Sequence, residues 1–131
     1  MHQHLADQGF PDLRPSQGFA LNAVGDGGAT VSELAVVLGV TKQAAAKVVD
    51  GLEDRGYVAR RAHEEDGRAR SVSLTARGRA LLDAAASIQQ ELEAEWAATV
   101  GDRQLAVMRR SLEQVLASRY GDRLPPLRPL W

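Results

Sequence analysis

Apolar positions recur at helical spacing twice within residues 31–52, separated by a single glycine. In "VSELAVVLG", Leu34, Val37 and Leu38 stand at i, i+3 and i+4, which is one face of a 3.6-residue period. Thr30 and Glu33 have the T-x-x-E spacing of a capping box, so the helix starts there, and Gly39 is placed to end it. Val40 fills the turn and Thr41 is a good N-cap for the next helix. Within that helix Ala45, Val48, Val49 and Leu52 repeat on one face and are expected to point inward. By elimination Lys42, Gln43, Ala44, Ala46 and Lys47 point outward, giving a smooth, polar and basic N-terminal end.

The flanking segments extend this pattern. Residues 2–8 allow only a short helix, stopped at Gly9, and Pro15 or Ser16 opens another with Phe19, Leu21 and Val24 inward. "GDGGA" reads as a flexible turn. "YVARRA" alternates with period two, "RSVSLT" does the same with Val72 and Leu74 on one face, and the charged "HEEDG" between them predicts a β-hairpin. Thr75 caps a long helix over 76–100, with Leu81, Ala85, Ile88, Leu92 and Trp96 at steps of four and three. Gly101 and Asp102 lead into a helix over 103–119, with Leu105, Met108, Leu112, Val115 and Leu116 inward, and the tail "YGDRLPPLRPLW" is broken by proline. The predicted class is mainly α with a small β-hairpin wing. Residues 14–75 form a winged helix-turn-helix, and residues 1–13 and 76–131 a helical dimerisation region with a proline-rich tail. The last two helices carry more large apolar residues than one small winged helix covers. A second copy is expected on Leu112, Val115, Leu116 and the 120–131 tail.

Composition narrows the chemistry. At 131 residues, with 44% apolar and 25% charged, the chain is one domain or one domain with an accessory helical layer. No run approaches eighteen apolar residues and the start lacks a signal-peptide pattern, so no membrane partner and a cytoplasmic location are expected. The absence of cysteine removes disulfides, thiolate nucleophiles, cysteine zinc sites and sensing by thiol oxidation. Net charge is −1, yet residues 41–79 hold nine Lys/Arg against six Asp/Glu, while residues 1–40 hold one against four. A basic excess confined to the middle of the chain matches a local nucleic-acid footprint, although an ordinary solvated face has the same composition.

Other candidates weigh less. "GDGGA" lacks the G-K-[ST] of a phosphate loop and has no preceding strand. His2, His4 and His63 have no paired helical spacing for metal, and Glu91, Glu93 and Glu95 lie along a helix rather than around a cleft. Phe19 and Trp96 suit either an effector pocket or plain packing, and "LPPLRP" either a polyproline ligand or a tail docked on the partner. No nucleophile–base pair and no metal set is readable, so neither an enzyme nor a cofactor is expected.

A helix-turn-helix followed at once by a hairpin points to double-stranded DNA. Such a recognition helix enters the major groove by its N-terminal end, where small residues avoid collision and alanine methyls meet thymine methyls. Lys42 and Lys47 suit phosphate or guanine, Gln43 suits adenine, and Arg68 and Arg70 on the wing suit a narrow minor groove. A winged-helix module that binds protein, without sequence-specific DNA binding, is the competing reading.

The ordered set "LA-x-x-LGVT", "VVDGLEDRGYV", the D-x-R of Asp66 and Arg68, and "VSLTARG" resembles the multiple-antibiotic-resistance regulator (MarR) family over residues 14–116. The resemblance implies a homodimeric bacterial transcription factor, a repressor or an activator, bound to a palindromic operator and usually released by a small molecule. It implies that Arg68 meets the minor groove, that Asp66 holds the wing, and that Thr41, Lys42, Gln43, Ala44 and Lys47 occupy recognition-helix positions. It also implies a long first helix in the dimer interface. Only eight residues precede Gly9, so that element is expected to be truncated here, or the true start to lie upstream.

Overall fold

The computed structural model describes residues 2–7, 9–11, 13–62 and 70–121. In chain order the elements are α1 (His2–Asp7), α2 (Pro15–Val24), β1 (Ala29–Thr30), α3 (Val31–Leu38), α4 (Lys42–Asp54), β2 (Val58–Ala62), β3 (Arg70–Leu74), α5 (Ala76–Val100) and α6 (Asp102–Tyr120). Packing divides them into two compact units, one spanning His2–Ala84 and a second beginning at Ala85 that holds the rest of α5 and α6.

In the first unit the three strands form an antiparallel sheet in the order β1-β3-β2. β2 and β3 are the expected hairpin, with Val58 opposite Leu74 and Arg60 opposite Val72. β1 was not expected. Ala29 and Thr30 pair with Val72 and Ser71, and a two-residue strand is too short to leave any periodicity in the sequence. Gly28 makes the approach possible: its φ is 75°, and a side-chain carbon there would lie 3.0 Å from the Val72 carbonyl oxygen.

Leu21 and Val24 of α2, Leu34 and Leu38 of α3, Ala45, Val49 and Leu52 of α4, and Val58, Val72 and Leu74 of the sheet are all buried. Tyr57 is the bulkiest fully buried side chain among the described residues; the ring of Phe10 lies 6.4 Å from its ring, and the Arg77 guanidinium 5.1 Å from it. Two helices differ in phase from the reading of their sequence. On α3 the buried third residue is Ala35, and Val37 is 49% exposed. On α2, Ala20 and Gln17 are buried while Phe19 is only half-buried. Residues 34–38 are apolar at every position, so periodicity leaves the phase of so short a helix open. Gln17 is buried without loss, because its side-chain oxygen accepts the Arg14 backbone N–H at 3.0 Å and closes the N-terminus of α2.

α5 begins at a tight junction. The Thr75 hydroxyl accepts the Gly78 N–H at 3.1 Å and lies 2.6 Å from the Gly56 carbonyl and 3.1 Å from that of Tyr57. In the second unit, Arg109 of α6 bonds Glu93 of α5 at 2.7 Å, sixteen residues back along the chain. The inward placement expected for the α6 stripe is not met in a single chain. No α6 side chain is buried: Leu105 is half-buried, and Met108, Leu112, Val115 and Leu116 are exposed. Ile88 of α5 is buried, whereas Trp96 is 56% exposed. No helix among the described residues is long and apolar enough to cross a membrane.

Candidate nucleic-acid interface

The turn between α3 and α4 depends on Gly39, which adopts the left-handed conformation (φ 63°, ψ 35°) that glycine occupies without penalty. It lets the Gly39 and Val40 N–H groups donate back to the carbonyls of Val36 and Ala35 at 3.1 and 3.0 Å. Thr30 and Glu33 form the predicted capping box at the start of α3: each accepts the other's backbone N–H, at 3.2 and 2.7 Å. Thr41 caps α4, its hydroxyl accepting the Ala44 N–H at 3.2 Å.

Burial along α4 sets the orientation of its front end. Ala45, Val49 and Leu52 are buried, Ala46 and Val48 half-buried, and Thr41, Lys42, Gln43, Ala44 and Lys47 exposed. These exposed residues all lie at the first two turns of α4, while Ala46, expected to point outward, is half-buried. The first turn of α4 has no acidic residue, so the positive end of the helix dipole and two lysines face solvent together. Lys42 and Lys47 make no ion pair among the described residues.

The wing is only partly described. Arg70 opens β3 opposite Ala62. Asp66 and Arg68, together with His63, Glu64 and Glu65, lie outside the described residues.

Arg60 is one of the nine Lys/Arg that make residues 41–79 basic, and its charge is not free. One arm of its guanidinium reaches Asp50 of α4 at 2.5 Å and the other bonds the Glu53 carboxylate, whose second oxygen accepts the Arg60 backbone N–H at 3.2 Å. The Asp50 hydrogen bond is the main reason that the Arg60 pKa is raised above its ordinary value; burial opposes it, and the Glu53 bond adds to it. Alternation along β2 places Arg60 on the face of Val58, toward the core, which is the only local signal that its role differs from that of Arg61. Arg79 pairs more loosely with Asp26, at 3.4 Å. Among the described residues, no three His, Cys, Asp or Glu side chains gather as a metal site requires.

The model of the MarR family matches residues 12–69. The HTH-type transcriptional repressor Rv2887 of Mycobacterium tuberculosis is 39% identical over 88 residues, covering 67% of this chain. The alignment spans 63% of that relative's own length, so less than two thirds of it is represented. Among solved structures, the apo form of MarR from Escherichia coli is 25% identical, with 88% of this chain and 84% of that one covered and a TM-score of 0.68. Streptococcus pneumoniae FabT in complex with DNA is 22% identical, with 86% and 81% covered and a TM-score of 0.73.

Proposed function

Since the chain belongs to the MarR family, we propose that it is a DNA-binding transcriptional regulator, a repressor acting as a homodimer on a palindromic operator. The observation that carries this is the exposed, acid-free front of α4, where Thr41, Lys42, Gln43, Ala44 and Lys47 are all open to solvent directly behind a glycine turn. The mycobacterial relative named a repressor and the FabT structure holding DNA support the same reading. Residues 14–75 are assigned to DNA and the helices from 76 onward to pairing of two copies. With no thiol to serve as a redox sensor, any signal is a ligand or a partner, and a small molecule that alters the spacing of the two recognition helices is the form favoured here.

In this reading the α4 dipole and the two lysines draw the helix onto the duplex, Ala44 leaves room for base edges, and Gln43 reads one of them. Arg68 follows the wing to the minor groove with Arg70 near its base, while Asp66 steadies the loop.

Affinity selection on random duplexes, followed by salt titrations on the selected operator, tests the assignment. Gln43→Ala is expected to relax preference at one base pair per half-site, because an amide bonded to a base edge gives about 1–3 kcal/mol of discrimination. Arg68→Ala is expected to weaken every operator alike and to lower the salt slope by about one counterion per site. The two half-sites are expected about one helical turn apart. If both variants bind as wild type does, with unchanged slopes, this surface does not read DNA and the protein-interaction reading takes its place.

A further inference from the structure

We infer that Asp50, Arg60 and Glu53 form a positioning clasp that fixes the wing to the recognition helix, so that the two DNA-reading elements move as one body. The inference rests on the DNA-binding reading above and adds a residue set that this reading does not use.

Three bonds converge on one side chain and its backbone. β2 is an edge strand, so the outward N–H of Arg60 has no strand partner and donates to Glu53 instead. The guanidinium then spans two carboxylates three residues apart on α4, a spacing that puts both on the same helix face. That face is continuous with the proposed reading surface, because Gln43, Lys47 and Asp50 follow one another at steps of four and three. At its other end Arg60 stands opposite Val72 of β3, two residues before Ala62, from which the chain runs into the wing. Arg60 is only 22% exposed, and a planar two-armed guanidinium holds direction in a way that lysine cannot. Without the clasp, β2 and β3 remain paired, but the hairpin is no longer held in one orientation against α4. That orientation then has to be fixed each time DNA binds, which lowers the net gain from any contact the hairpin carries.

Removing Arg60 alone also exposes two acids near DNA, which confounds charge with position. The test therefore uses a triple variant, Arg60→Met, Asp50→Asn and Glu53→Gln, which leaves no bare acid and raises the net charge by one, alongside Asp50→Asn alone, a milder lesion with the same change in charge. In the free protein, backbone hydrogen exchange is expected to quicken in β2 and β3 of the triple variant, less so for Asp50→Asn, while α2 and α3 keep their protection. On operator DNA, Arg68→Ala is expected to cost about tenfold in the wild-type background and no more than about threefold in the triple variant, whereas Lys47→Ala costs the same in both. A general loss of stability would not separate the wing from the helix in this way. Unchanged exchange in β2 and β3, or an equal Arg68→Ala cost in both backgrounds, overturns the clasp. Failure of the wild type itself to bind any selected duplex overturns the DNA-binding reading, and the clasp's role in it, even where the exchange result holds.

Discussion

Gly78→Ala is expected to lower the stability of the chain by about 3 kcal/mol or more, as core overpacking against unyielding atoms does. In an ordinary helix interior the same change is favourable by about 1 kcal/mol, so the sign itself is diagnostic. The cause is steric. A side-chain carbon on Gly78 would lie 2.1 Å from the Tyr57 carbonyl oxygen, 3.1 Å from its carbon and 3.3 Å from a Leu74 methyl. That carbonyl cannot retreat cheaply, because the Thr75 N–H holds it at 3.1 Å and the Tyr57 ring behind it is fully buried. Relief requires moving the start of α5 away from Tyr57, which also breaks the Thr75 bonds to the Gly56 and Tyr57 carbonyls. Denaturant and thermal melts followed by circular dichroism at one fixed protein concentration measure the loss, the thermal melts showing a fall in Tm of roughly 10 °C or more. Gly27→Ala serves as the control, since nothing lies within 4 Å of its added carbon. A Gly78→Ala protein as stable as wild type would show that α5 does not start against Tyr57 as described.

The same junction shows what could be read from the sequence and what could not. "VSLTARG" announced a capped helix after a strand, and Thr75 does cap α5. That the glycine three residues later is needed for close approach depends on Tyr57, which precedes it by twenty-one positions and carries no local mark of the contact. Helix-turn-helix caps were legible because capping is local: Thr30 with Glu33, Gly39, and Thr41 each act within four residues. The phase of α3 was not, because five consecutive apolar residues fit more than one face and only contact with α2 and α4 selects among them. Arg60 misled for a related reason. A charge count gives it the same weight as any other arginine of residues 41–79, while its partners lie seven and ten positions away on another element. Non-local pairing of this kind leaves no trace in a composition window.

The exposed stripe on α6 leads to the second large effect, loss of pairing between copies in Leu112→Glu. Leu105, Met108, Leu112 and Val115 follow at steps of three, four and three, the spacing of a helix seam that packs on another helix. Leu112 and Val115 are 64% and 61% exposed, so the chain alone leaves the middle of that seam open to water. A second copy on the seam buries the same leucine from both sides of a two-fold axis, and a carboxylate there is introduced twice at close range. Truncating a central apolar anchor commonly costs 2 kcal/mol or more, and an unpaired buried charge adds to it, so the dimer dissociation constant is expected to rise by at least about 100-fold. Sedimentation at micromolar concentration should show wild-type dimers and Leu112→Glu monomers with the same helical content. Gln114→Glu, at an exposed position off the seam, should leave the dimer intact. Operator affinity should fall with pairing, because a monomer keeps one half-site and loses the effective concentration that links the second. Wild-type protein that sediments as a monomer, or Leu112→Glu that remains dimeric, would show that a second copy of this chain does not cover α6.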